Sequence, residues 1–163
     1  MSCYRSLTVE SFITEVKQWM NKRIYSTNEV QSGLLAQGGW ECWVQVELAI
    51  WLINRGYDVV REGKIYQNSY QRADLVLNTN ITGVNKIAVE IKCESIYSNV
   101  YVNLNKYFLD IDKLNSLDNS YNALVLVFVI EPDLYNLLLQ NKYNWYNTDK
   151  QYSPMALCYK QVK

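Results

Sequence analysis

The chain contains no histidine. That absence excludes imidazole general bases, Ser-His-Asp and Cys-His catalysis, and zinc or nuclease sites that require an imidazole. Any acid–base or metal chemistry must run on carboxylates, lysine, tyrosine, cysteine or water. Proline is scarce, at 132 and 154 only, and no Gly/Ser-rich linker interrupts the chain. A single domain over 1–163 is the expected division. No apolar run approaches the ~20 residues of a membrane span, so no membrane partner is expected. The four cysteines, at 3, 42, 93 and 158, lack CxxC spacing. No leader-like segment opens the sequence, so reduced thiols and a cytoplasmic location are expected. Net charge is missing as well: 16 basic residues balance 16 acidic ones. Nothing therefore draws the whole molecule toward nucleic acid or an anionic surface.

What is present is apolar and aromatic. Hydrophobic residues make up 49% of 163, enough for a sizeable core. The 14 tyrosines and five tryptophans read mainly as core and rim residues. Helical spacing of Val9, Phe12, Ile13, Val16 and Met20 predicts a helix over Thr8–Asn21. A second helix, Trp40–Arg55, is apolar nearly all round from Val46 to Ile53 and is expected to be central. Gly56 stands where a left-handed residue commonly ends a helix. Strands follow at Tyr57–Arg61, Arg72–Asn78 and Lys86–Lys92. A helix over Tyr101–Leu117 carries Leu104, Tyr107, Phe108, Ile111 and Leu114 on one stripe. Ala123–Ile130 reads as a strand buried on both faces. Glu131–Asn141 reads as a helix with Pro132 in its first turn. The tail from Lys142 receives no assignment. The order α-α-β-β-β-α-β-α predicts an α/β fold of α+β type: a mixed central sheet flanked by helices, three strands in a meander and a helical crossover to the fourth.

The chemistry concentrates between Arg72 and Lys92. Alternation along the third strand puts Lys86, Ala88, Glu90 and Lys92 on one face and the apolar Ile87, Val89 and Ile91 on the other. Glu90 and Lys92 stand about 7 Å apart along the strand. Asp74 faces away from Ala73, Leu75 and Leu77, and pairing of the two strands would bring it beside Glu90. Two close carboxylates repel in a dry site, and a divalent cation removes that conflict. Hard oxygen ligands with room for water suit Mg2+ or Mn2+. Lys92 can hold an attacking water and offset charge on a phosphorane. Glu47, lone among apolar neighbours, is costly unless paired or bound to metal. Glu41 and Gln45 on the same helix are weaker candidates. Arg72 shares the Asp74 face and is a possible phosphate contact. Tyr97, Tyr101 and Lys106 follow the site and are possible substrate contacts. Glu94 continues the Glu90 face and is expected to be exposed. Cys93 is expected to be inert packing.

The pattern Glu47 … Asp74 … Glu90-Ile91-Lys92 resembles the PD-(D/E)XK, restriction-endonuclease-like nuclease superfamily. The stretch VELAIWLINRGYDVVRE is similar to the first core helix and strand of archaeal Holliday-junction resolvases, with the same spacing from Glu47 to Gly56. RADLVL and AVEIK resemble the two catalytic strands. The resemblance spans Trp40 to about Ile130 and departs at Ala73, where proline is usual. It implies Asp74, Glu90 and the Ile91 carbonyl as metal ligands, Lys92 as the catalytic lysine and Glu47 in support. The implied function is a Mg2+-dependent endonuclease, with Mn2+ as a substitute metal and DNA ahead of RNA as substrate. A homodimer or a partner subunit fits the family. The alternatives are a catalytically inactive binding subunit and an RNase or toxin-type effector nuclease.

Overall fold

The computed structural model describes residues 4–23, 40–68, 70–94, 99–147 and 155–163. Among the described residues, four helices are α1 (Val9–Arg23), α2 (Glu41–Asn54), α3 (Val100–Asn115) and α4 (Pro132–Gln140), and six strands are β1 (Val59–Gly63), β2 (Ala73–Leu77), β3 (Lys86–Cys93), β4 (Tyr121–Val129), β5 (Asn144–Asn147) and β6 (Ala156–Gln161). They form one mixed sheet in the order β1-β2-β3-β4-β6-β5. The β1–β2 and β2–β3 pairs are antiparallel, and α3 crosses over to a parallel β4. The meander and crossover are therefore as the sequence predicts. No helix among the described residues is long and apolar enough to cross a membrane.

Alternation divides the interior in two. Leu75, Leu77, Ile87, Val89, Ile91, Leu124, Leu126 and Phe128 pack under α1 and α2. Val76, Ala88, Val125, Val127 and Val129 pack under α3 and α4. Each side chain of β4 from Ala123 to Val129 is buried, because both faces of this interior strand carry helices. Gly56 ends α2 with φ +84°, a conformation that costs glycine little.

The tail, which the sequence leaves without an assignment, holds two strands, β5 and β6, the latter antiparallel to β4, and two expectations need correction. β5 is short, polar and mostly exposed, so it lacks an apolar pattern to read. The α2 helix is not central: Ile50 and Ile53 are about half exposed, because the helix covers the sheet with one side only. On α3, Phe108 turns outward, while Asn103, Leu104, Tyr107 and Leu114 turn in.

Phe128 links sheet and helices. Its ring meets Trp19 of α1 at 5.8 Å and Trp40, at the start of α2, at 6.0 Å, both edge-on. Phe128→Ala should destabilise the protein by about 3–5 kcal/mol, read by chemical denaturation; a loss under about 1 kcal/mol would contradict this packing.

Candidate functional site

β2 and β3 pair as far as Leu75 and Val89, and continuing that register sets Asp74 opposite Glu90. The ladder ends there. Asp74 takes over as acceptor for the strand: its Oδ2 receives the Ile91 N–H at 2.6 Å. In an extended strand the N–H and C=O of one residue leave on the same edge, so the Ile91 carbonyl also faces the Asp74 side. Glu90 is 1% exposed. Its Oε1 accepts the Tyr66 hydroxyl at 2.6 Å and lies 2.8 Å from Lys113 Nζ on α3. Lys92 Nζ donates to Glu41 Oε1 at 3.1 Å and lies 3.6 Å from Asp110 Oδ2. Asp110 Oδ1 is 3.3 Å from Lys113 Nζ, so this one carboxylate joins the two ammonium groups.

The electrostatics are strained toward negative charge. Burial, and then the Glu90 charge, push Asp74 up to about 7. Burial also raises Glu90, against the opposing pull of Lys113 and Tyr66. Burial disfavours the Lys92 charge, yet Glu41, Asp110 and Asp74 hold its pKa above the usual lysine range. Lys92 is therefore an ammonium and a donor, not a base. Burial and Glu90 likewise keep the Tyr66 phenol protonated. Glu41, Asp74, Glu90 and Asp110 surround Lys92 and Lys113. Four acids against two bases leave two negative charges in excess when all are ionised.

A divalent cation would answer that excess. Asp74 Oδ1 and Glu90 Oε2 carry no hydrogen bond among the described residues, while their sister oxygens are held. Two open carboxylate oxygens and the Ile91 carbonyl suit a hard cation that retains several waters, as Mg2+ does. Among the described residues, no three His, Cys, Asp or Glu side chains group as a metal cage.

The structure brings Asp74, Glu90, Ile91 and Lys92 together and leaves Glu47 out. Glu47 lies six residues beyond Glu41 on α2 and is held by Arg23 of α1 at 3.4 Å. It is partly exposed, near Lys22, Asn54 and Arg55 as well, so its setting is not the apolar one expected, and its ion-pair partner is an arginine rather than the site. Glu41, in the first turn of α2, supplies the carboxylate from this helix instead. Gln45 is buried one turn further on. Glu94 is not exposed: its carboxylate is buried and accepts the N–H groups of Ile130 and Glu131, where α4 begins. Cys93 packs against the α1/α2 core, and burial pushes its thiol well above the usual range. Arg72 is exposed, with Nη1 3.4 Å from the Glu62 carbonyl. Tyr101 and Lys106 lie on the solvent face of α3. Tyr97 lies outside the described residues.

Tyr66, Asp110 and Lys113 escape a reading by strands alone. Tyr66 sits in an irregular stretch with no periodicity. Asp110 does leave a signal, because it falls three residues after Tyr107 and four before Leu114, on the buried stripe of α3. No protein-family model, curated protein or solved structure matches the chain.

Asp74 gives the site a pH signature. A carboxyl whose folded pKa exceeds its unfolded value destabilises the fold once ionised. That penalty is absent below about pH 3.8, grows with rising pH, and is complete above about 7. Asp74→Asn keeps an acceptor for Ile91 and removes the charge. In EDTA, the thermal midpoint of the wild type should fall from pH 5 to pH 8 relative to that of Asp74→Asn. Parallel profiles would contradict the assignment.

Proposed function

We propose that the chain is a divalent-metal-dependent nuclease of the restriction-endonuclease-like type, hydrolysing phosphodiester bonds in DNA. One observation carries this reading: Asp74 and Glu90 face each other from adjacent strands, both raised in pKa, with Lys92 beside them. Structural ion pairs alone do not call for a second carboxylate in such a place.

The residues divide the work. Asp74, Glu90 and the Ile91 carbonyl would hold Mg2+ or Mn2+. When bound, that ion supplies Lewis-acid polarisation and a nucleophilic water at neutral pH. The Ile91 N–H orients Asp74, and Tyr66 with Lys113 orients Glu90. Lys92 stays protonated and donates N–H groups toward oxygens that gain charge as phosphorus is attacked. Glu41 and Asp110 aim it. Arg72, exposed two residues before Asp74, is available to a backbone phosphate. With zero net charge overall, affinity depends on such local groups, the cation or a partner subunit.

A second reading is a non-catalytic binding subunit of the same fold. It is favoured by one feature, the engagement of Lys92 by two carboxylates before any substrate arrives.

Incubation with plasmid, single-stranded DNA and RNA, each with Mg2+, Mn2+ or EDTA, separates these readings. Cleavage of DNA with metal and none in EDTA is the expected result. Asp74→Asn and Lys92→Ala should lower the rate by at least about a hundredfold, while Glu47→Gln should leave it unchanged. Full activity of Asp74→Asn, or cleavage in EDTA, would sink the proposal. Preference for RNA would move the chain to the RNase or effector class, and Mn2+ binding without cleavage to the binding subunit.

A further inference from the structure

We infer that Lys113 is a built-in cation standing where a second divalent ion would bind, so that the centre takes one metal ion rather than two. The inference rests on the metal-dependent reading above and deepens it. Its basis is the count of open oxygens. A two-ion centre holds its metals about 3.5–4 Å apart, which requires groups able to serve both ions. Glu90 is the best placed carboxylate for that purpose. Its Oε1 is already taken by the Tyr66 hydroxyl at 2.6 Å and by Lys113 Nζ at 2.8 Å. Those two donors match the two acceptor positions of one carboxylate oxygen. Asp74 has Oδ2 committed to Ile91 N, and Asp110 has Oδ1 facing Lys113 and Oδ2 facing Lys92. None of the three offers two open oxygens.

Lys113 is fixed in place. Its ammonium lies 5.1 Å from the centroid of the Tyr66 ring, and its side chain is mostly covered. Asp110, three residues earlier on α3, holds it from the helix side. Lys113 is thus a positioning residue that presents Glu90 through Oε2 alone.

The test is the number of ions bound by the full chain. Metal-stripped protein is titrated with Mn2+ by calorimetry, and the bound Mn2+ is examined by electron paramagnetic resonance. The wild type should bind one Mn2+ with no coupling between ions. Lys113→Met keeps the bulk, frees one of the two acceptor positions of Oε1 and removes the neighbouring ammonium; it should bind two Mn2+ and show spin coupling between them. Lys113→Arg keeps the charge and should stay at one. Two coupled ions in the wild type would overturn the inference and leave the metal-dependent reading standing. So would Lys113→Met that still binds one ion with unchanged affinity. No Mn2+ binding by the wild type would overturn both. If Lys113→Met fails to fold, Lys113→Gln, which also removes the ammonium, is read in its place: two coupled Mn2+ support the inference, and one ion with unchanged affinity overturns it.

Discussion

A carboxylate buried in the face of a sheet is the constraint around which this site is built. Glu90 lies among Ala88, Val76 and Val125 on neighbouring backbone positions, where an unpaired charge is expensive. The fold answers with a lysine from α3 and a phenol from the stretch before β2. Removing one partner of such a buried pair typically costs about 3–5 kcal/mol. The position of α3 over the sheet is therefore tied to the Glu90 charge as well as to Leu104 and Leu114. On stability alone, an apolar residue at 90 would serve as well as or better than this buried pair.

Asp74 meets a related problem differently. It stands where the β2–β3 ladder ends and supplies the acceptor that Ile91 would otherwise find in a paired strand. One oxygen closes the ladder and the other remains open. This arrangement turns the end of a strand pair into an oxygen-lined edge, with Ile91 contributing its carbonyl. Lys92 closes the group between carboxylates from α2 and α3, which approach from the two opposite helical layers. The cluster thus joins both halves of the interior at one end of β3.

Much of the fold is legible because periodicity is physical. The alternation of Lys86–Cys93 and the apolar run of β4 can satisfy burial only as strands with helices above and below. β5 and β6 are not legible in the same way. β5 is too short to alternate, and β6 takes its register from its two neighbours in the sheet, β4 and β5. The site divides similarly. Asp74, Glu90 and Lys92 are recognisable from strand alternation. Glu47 shows the limit of the burial argument: the stretch around it is apolar, but helix phase turns Glu47 to a partly exposed side of α2 beside Arg23. Six residues separate Glu41 from Glu47, so the two cannot face the same neighbour. Glu41 meets Lys92 and Glu47 meets Arg23.

By itself, the sequence determined the chemistry available to this protein. Lacking histidine, it has carboxylates, lysines and a strand that places Glu90 and Lys92 on one face, because side chains in a strand alternate whatever surrounds them. The tertiary structure alone decided which groups complete the site. Tyr66, Asp110 and Lys113 come from an irregular segment and from a helix in another layer, and their meeting with Glu90 depends on how α3 crosses the sheet. Local sequence specifies the direction of a side chain relative to its own backbone. Contact between elements far apart in the chain is set by packing, and so is the meeting of four carboxyl groups with two lysines at this site.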